Sequence, residues 1–552
     1  MTAFTGTPVV SGKAYAKVLW ASPQIHLGTC STFLTPEQHE GALAAFKEAA
    51  MKVSDRLFER SAESVGTPSD ILAMAATLAI DPGLEERVKN FIFNENLPAT
   101  FATDKAAHEF ADTLRLAGGY LAERTTDLLD VKNRIVAALQ GKPEPGIPPL
   151  TEPTIIFAED LAPADTAGLD PELVKGFVTV LGGPTSHTSI IARQMGIPCI
   201  VAARDLQQIP EGTWVLINGD SGDIYTDPDP EFATAEVARD NELRARARNW
   251  SGPAVLTDGH SIQLLANVQD GASAAKAAGF PVEGVGLLRT ELGFLATSTE
   301  PSFETQKDFY TSVFDQFPEH KVIVRTLDAG SDKPIAWASL DDEENPALGV
   351  RGIRADGVHP HILPTQIAAV AAAASGREER TWVMAPMVST VAEARWFASL
   401  VHPYGLKAGV MIEVPSAALM IDEIFAEVDF VSIGTNDLTQ YVMAADRLNS
   451  HLATYTSPWQ PAVLRLIGQV TAAGQRANKP VGVCGEMAAD PYLACVLVGL
   501  GVTSLSMAAP TVGSVGVQLS DVTLEQCQAA AQVALTVTDP DELREKVREI
   551  LG

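Results

Sequence analysis

The sequence predicts a multidomain α/β protein: a (β/α)8 barrel of the TIM type over residues 251–552, preceded by a small α/β domain (1–34 and 150–230) that a helical bundle at 35–149 interrupts. Three observations predict it. The chain has 552 residues, more than one ordinary core organises. Its hydrophobic period turns helical near residue 35 and returns to short apolar runs near residue 150. Beyond residue 251, eight apolar runs recur with helix-length segments between them, the count and size of such a barrel.

The first residues, up to Leu34, are strand-like and punctuated by Gly and Pro. Thr35-Pro36-Glu37-Gln38 then has the pattern of a capping box with proline at the first helical position, and helical spacing continues to about Ala62. Further helices are expected at 70–80, 82–94, 100–117 and 120–139, and the stretch GKPEPGIPP closes the insert. Next come TIIFAED, a helix begun by Asp170-Pro171, GFVTVLGG, a helix from Thr188, PCIVAA and a hairpin, WVLINGDSGDIYTDP. A polar linker helix at 231–250 carries Arg244, Arg246 and Arg248 in its C-terminal turns, where the helix dipole favours cations. The barrel runs are IQLLANV, GVGLLRTE, KVIVRTLD, TWVMAPMV, AGVMIEVP, FVSIGTND, VGVCGEMA and TSLSMA.

Composition excludes several classes of protein. With 46% hydrophobic and 20% charged residues the chain is globular. Its 40 basic and 69 acidic residues give a net charge of −29, which repels nucleic acid and anionic lipid as general partners. The N-terminus lacks a basic segment followed by an apolar one, so a cytoplasmic location is expected. Five cysteines without CxxC spacing fit reduced thiols and no zinc site. The uncharged stretch Tyr492 to Ser520 contains glycines, a proline and hydroxyl residues, and it reads as buried helix, strand and loop and not as a membrane span.

Barrels of this kind place reactive groups at the C-terminal ends of their strands. Those ends carry Asn267, Arg289, Glu291, Arg325, Asp328, Glu413, Asn436, Asp437, Cys484 and Glu486, with Lys333, Arg351 and Arg447 in the loops that follow strands. Arginine forks match carboxylate and phosphate oxygens, and paired carboxylates suit a hard cation such as Mg2+. The set fits a small phosphorylated carboxylic acid; each arginine taken alone is equally compatible with an internal ion pair. Cys484, flanked by Gly482, Gly485 and Glu486, stands where a proton donor is useful, whereas Cys199, Cys495 and Cys527 read as small core residues. In GGPTSHTSIIARQMGIPCIV, His187 sits among hydroxyl residues at a helix start, a setting for a phosphoryl group as well as for a capping histidine.

That segment closely resembles the phosphohistidine signature of phosphoenolpyruvate-utilising enzymes, and IEVPSA, SIGTNDLTQY, AADR and VCGEMA resemble the family's barrel signature. The order of the parts resembles enzyme I of the bacterial sugar phosphotransferase system, over essentially the whole chain. The resemblance implies a swivelling phosphohistidine domain in which His187 is phosphorylated by phosphoenolpyruvate, with Thr166 as hydrogen-bond partner of its ring. It implies substrate contacts from Arg289, Arg325, Lys333, Arg351, Asn436 and Arg447. It makes Glu413 and Asp437 the Mg2+ ligands and Cys484 the acid that protonates the enolate. The helical insert would dock the histidine phosphocarrier protein HPr, and the barrel would form a homodimer. Two positions depart from the family pattern: Pro184, where arginine is frequent, and Ala75, where a histidine is frequent. The rival readings are an ATP-linked phosphoenolpyruvate synthase or dikinase, which needs a nucleotide-binding domain before the phosphohistidine unit, and a phosphoenolpyruvate-binding sensor.

Overall fold

The structure is a computed structural model. It describes the backbone of all residues except 1, 22–26, 64–66, 118, 149, 162, 167–168, 171, 184–185, 295–298, 331–334, 336, 341–342, 448, 450–451 and 453. Some further side chains, that of His187 among them, also lie outside the description. Two compact units divide the chain, Met1–Glu242 and Leu243–Gly552.

In the first unit, β1 (Thr2–Thr5), β2 (Thr7–Val10), β3 (Lys13–Trp20), β4 (Thr154–Ala158), β5 (Val174–Thr179), β6 (Cys199–Val201), β7 (Trp214–Asn218) and β8 (Asp223–Thr226) share one sheet. Its order is β1-β8-β7-β3-β4-β5-β6-β2. Strands β3 to β6 run parallel, while β7 and β8 form the expected antiparallel hairpin. Helices α1 (His39–Glu63), α2 (Thr67–Ala79), α3 (Pro82–Glu95), α4 (Ala99–Ala117) and α5 (Gly119–Gln140) all fall between β3 and β4. Because Lys17 of β3 is the register partner of Thr154 of β4, the insert leaves and re-enters the sheet at adjacent strands. It can therefore bury a core of its own, with Leu57, Leu72, Leu84, Val88, Ile92, Leu128 and Ile135 at its centre. The capping box acts as read, with Thr35 N donating to Gln38 Oε1 at 2.8 Å; Asp81, given no role from the sequence, caps α3 by accepting from Gly83 N at 2.7 Å. Ala75 is part of that core and 1% exposed.

The helix expected from Asp170-Pro171 does not form. Pro171 lies outside the described residues, and around it Asp170 Oδ1 accepts from Glu172 N at 2.9 Å and Asp170 O from Leu173 N at 3.0 Å. An aspartate that bonds the backbone two residues on favours a turn over a helix. With β5 beginning at Val174, no length remains for a helix. The crossover out of β4 carries the short helix α6 (Pro163–Thr166), and α7 (His187–Met195) follows β5.

In the second unit the barrel closes as the spacing predicts. After α8 (Pro230–Asn249), β9 (Ala254–Val255) forms a hairpin on β10 (Ser261–Val268). Then β11 (Gly284–Arg289), β12 (Lys321–Arg325), β13 (Thr381–Ala385), β14 (Lys407–Ile412), β15 (Phe430–Ile433), β16 (Val481–Val483) and β17 (Ser504–Met507) pair in parallel, each with the next. The pairing of β17 with β10 completes the ring. Outward residues such as Val322, Val324, Val383, Val410, Val431 and Leu505 bury against the helices. Each such side chain contributes about 1.5–3 kcal/mol.

The strands stop before the apolar runs do. Thr290 and Glu291 open a helix, Thr290–Phe294, while Asn436 and Asp437 lie in the first turn of another, Thr435–Met443. The chain thus turns at the mouth, and the polar ends of the runs become the rim. Near the C-terminal end of α8, Arg246 pairs with Asp521 at 2.7 Å, and just beyond it Trp250 covers Gly516. The uncharged stretch forms the helix Pro491–Leu500, strand β17 and the helix Val512–Ser520. No described helix is long and apolar enough to cross a membrane.

Candidate active site

Two buried arginines organise the barrel mouth. Arg325, the last residue of β12, donates to Glu291 Oε1 at 2.5 Å and pairs with Asp328 Oδ2 at 3.1 Å. Arg351 is fully buried and lies between two carboxylates. Its Nε and one terminal nitrogen donate to Asp328 at 2.8 and 3.0 Å, and its two terminal nitrogens donate to Asp437 at 3.2 Å each. Both guanidiniums are thereby held fixed by internal pairs. Arg289, at the end of β11, is exposed and has no hydrogen-bond or ion-pair partner among the described residues. Arg447 is also exposed, and its guanidinium stands 3.8 Å from Asp437. The internal-pair reading therefore holds for Arg325 and Arg351, Arg447 pairs at longer range with Asp437, and the open-cation reading suits Arg289.

Glu413 follows β14 and is completely buried. Its Oε1 accepts from Met387 N at 2.6 Å, while Oε2 has no partner among the described residues. Burial, with Asp328 and Asp437 nearby, raises this carboxyl to about 7. Burial acts the same way on Asp437, but the Arg351 and Arg447 guanidiniums outweigh it and hold Asp437 below the usual carboxylate range. A buried carboxylate oxygen without a donor, beside two further carboxylates, fits an oxygen-seeking cation. Among the described residues no three metal-ligating side chains converge. A Mg2+ ion that keeps its waters needs only one or two carboxylates.

Cys484, just after β16, is 3% exposed, and its thiol donates to Ile433 O at 3.6 Å. Burial raises its pKa, so the sulfur keeps its proton at neutral pH. Asn436 Oδ1 accepts from Glu486 N at 2.9 Å, which ties the Cys484 loop to the helix that carries Asp437. Gly485 permits the approach, since a Cβ there would stand 2.8 Å from Thr435 N.

The structure thus brings Arg289, Arg325, Arg351, Glu413, Asn436, Asp437, Arg447 and Cys484 to one barrel; Lys333 lies outside the described residues. In the first unit His187 opens α7, with Ser186 as N-cap accepting from Ser189 N at 3.4 Å. Gly182 reaches that turn at φ +95°, and Ser189 Oγ donates to Gly183 O at 2.7 Å. Thr188 is buried with its hydroxyl unpartnered among the described residues. Thr166 ends α6, which packs on α7. Pro184 and the His187 side chain lie outside the description. Sequence reasoning gave no role to Tyr441, whose hydroxyl accepts from Arg351 at 3.4 Å; it sits one turn after Asp437, a spacing that could have marked it.

A (β/α)8 barrel with this rim, preceded by an α/β unit bearing a hydroxyl-capped histidine, defines a class of two-part group-transfer proteins. Family models agree over most of the chain: "PEP-utilising enzyme, PEP-binding domain" matches residues 244–524, "PEP-utilising enzyme, mobile domain" 150–222, and "PEP-utilising enzyme, N-terminal" 5–124. A phosphoenolpyruvate-protein phosphotransferase of Streptomyces coelicolor is 43% identical over 100% of this chain and 99% of its own. Proteins of the same description from Haloferax volcanii and Bacillus subtilis are 39% and 33% identical, covering 91% and 92% of both chains. The chain belongs to the phosphoenolpyruvate-protein phosphotransferase family of phosphoenolpyruvate-utilising enzymes.

Proposed function

We propose that this protein takes the phosphoryl group of phosphoenolpyruvate onto His187 and passes it to a small histidine phosphocarrier of the HPr type, releasing pyruvate. What supports the reading is the barrel rim, which carries the exposed Arg289, an Arg447 that stands 3.8 Å from Asp437, and a buried Glu413 with one oxygen unpartnered among the described residues. Exposed Arg289 and Arg447 bind the phosphate and carboxylate of the substrate, while Arg325 and Arg351, held by their own carboxylates, set the shape and potential of the floor. Lys333 and Asn436 complete the substrate contacts. Glu413 and Asp437 would hold Mg2+, which when bound supplies positive charge for the transferring phosphoryl oxygens.

His187, neutral and aligned by Thr166, attacks phosphorus in line; the P–O bond to the enolate breaks as the P–N bond forms. Cys484 donates its thiol proton to C3 of the enolate, giving pyruvate. The family resemblance adds a swivelling motion of the histidine-bearing domain, carrier docking on α1 to α5, a second copy at the barrel, a role in sugar uptake and a cytoplasmic setting.

The test is incubation with Mg2+ and phosphorus-labelled phosphoenolpyruvate, followed by mapping of acid-labile label and addition of a histidine phosphocarrier. The expected result is label on His187, chase to the carrier and none in His187→Ala. Label from ATP would favour the synthase or dikinase reading. Binding without label or pyruvate would favour a sensor.

A further inference from the structure

Glu413 takes its one hydrogen bond among the described residues from a backbone group: Met387 N donates to Oε1 at 2.6 Å, and Oε2 has no partner. That N–H belongs to the peptide unit joining Pro386 to Met387. The same unit is held at its other end, because Pro386 O accepts from Ile353 N at 3.2 Å. A buried peptide fixed at both its carbonyl and its N–H cannot tilt without losing one of the two bonds. Glu413 Oε1 is therefore tied to a rigid donor.

Met387 makes this aim possible through a conformation that a bulky side chain rarely takes. It lies two residues past the end of β13 with φ +61°, in the left-handed region, where a residue other than glycine is strained. Such strain persists only where the surroundings fix it. Here Met387 O accepts from Ser389 Oγ at 3.2 Å, and that hydroxyl accepts in turn from Arg354 at 2.8 Å. The Met387 side chain is buried, with its sulfur 3.8 Å from the Tyr441 hydroxyl. Gly352 faces the same peptide at φ +60°, and a Cβ there would stand 3.0 Å from both Pro386 O and Met387 Cβ. The turn sends the chain on toward the helix Val391–Val401 while the N–H stays on Glu413.

On the other side of the carboxylate, Gly434 leaves room. A Cβ there would stand 2.7 Å from Glu413 Oε2, at the bend between β15 and the helix Thr435–Met443, whose first turn carries Asp437. We infer that the strained turn at Met387 is a positioning device for the cation: it occupies Oε1 with a fixed N–H and presents Oε2 alone, as a one-oxygen ligand. The inference rests on the reading of Glu413 as a Mg2+ ligand. A carboxylate confined to one oxygen suits a small octahedral ion better than Ca2+, which also takes carboxylates on both oxygens. Met387 acts through Glu413 and is a positioning residue that also sets ion preference.

The test titrates the full chain with Mn2+ alone, an ion that shares the oxygen preference of Mg2+, reads the EPR signal of the free ion, and then displaces it with Ca2+. Met387→Val, whose branched Cβ resists φ above zero, should weaken Mn2+ binding about 10- to 100-fold and Ca2+ binding less. Met387→Gly takes that φ freely and keeps the N–H, so it should bind Mn2+ within about twofold of wild type while unfolding at lower urea. A purely structural residue would show the reverse order, since glycine removes more of the side chain than valine. If Met387→Val does not fold, Gly352→Ala, which crowds Pro386 O, must show the same loss. Wild-type Mn2+ affinity in Met387→Val or Gly352→Ala, equal losses for both ions, or a loss in Met387→Gly as large as in Met387→Val would overturn the inference. Wild-type Mn2+ affinity in Glu413→Gln would instead overturn the reading of Glu413 as a ligand, a separate failure.

Discussion

Arg351 donates to both carboxylate oxygens of Asp437, at 3.2 Å each, while the same guanidinium holds Asp328. One fully buried cation therefore bridges two buried anions, and its removal leaves Asp328 with Arg325 alone and Asp437 with only the exposed Arg447 at 3.8 Å. Arg351→Met is expected to destabilise the second unit by about 3–5 kcal/mol, read from urea unfolding. Lysine, a point charge without the fork, should recover only a minor part. Equal stability of Arg351→Met and wild type would remove Arg351 from its organising role.

The buried thiol of Cys484 is poised to remain protonated. Cys484→Ala should cut pyruvate release about 100-fold or more, the size of effect expected for a general acid. Thermal unfolding should stay near wild type, because a small side chain is lost. Phosphorylation of His187 with undiminished pyruvate release would rule the thiol out.

Asp130 forms a buried cluster with Arg134, which also donates to Glu144 at 2.7 Å and Asp165 at 2.5 Å. Burial raises the Asp130 carboxyl from 3.8 to about 6, although Arg134 opposes the shift. The folded state thus binds this proton more tightly than the unfolded chain. Its favourable contribution is complete below pH 3.8 and is lost as pH rises through about 6, a span of about 3 kcal/mol. Asp130→Asn should flatten the stability profile of the first unit between those pH values, measured by denaturant melts. An unchanged slope would count against the shift.

Gly485 separates Cys484 from the helix Thr435–Met443. A Cβ there would stand 2.8 Å from Thr435 N, a backbone atom that cannot yield cheaply. Gly485→Ala should therefore displace the Asn436 contact to Glu486 N and lower kcat about 10- to 100-fold with less effect on folding. Wild-type kcat would show that the contact is dispensable.

Much of the site was legible because barrels put function at strand ends, so that Glu413, Asp437 and Cys484 could be found by counting apolar runs. The local capping signal at Thr35 was equally readable, since it involves residues within three positions. The helix expected at Asp170 failed because a side chain captured the backbone in a turn, a competition that hydrophobic spacing does not show.

The sequence by itself determined the class of fold, the division of polar and apolar periods, and which residue types reach the barrel rim, all of which depend on near neighbours. Only the tertiary structure decided which arginines are bound and which are open. Arg351 and Asp437 lie 86 positions apart, and Arg325 and Glu291 lie 34 apart. Such pairs form because closure of the barrel removes water from both partners at once, so a buried charge must find its counterion on another strand. For the same reason the lone oxygen of Glu413 belongs to the closed ring and to no single segment of the chain.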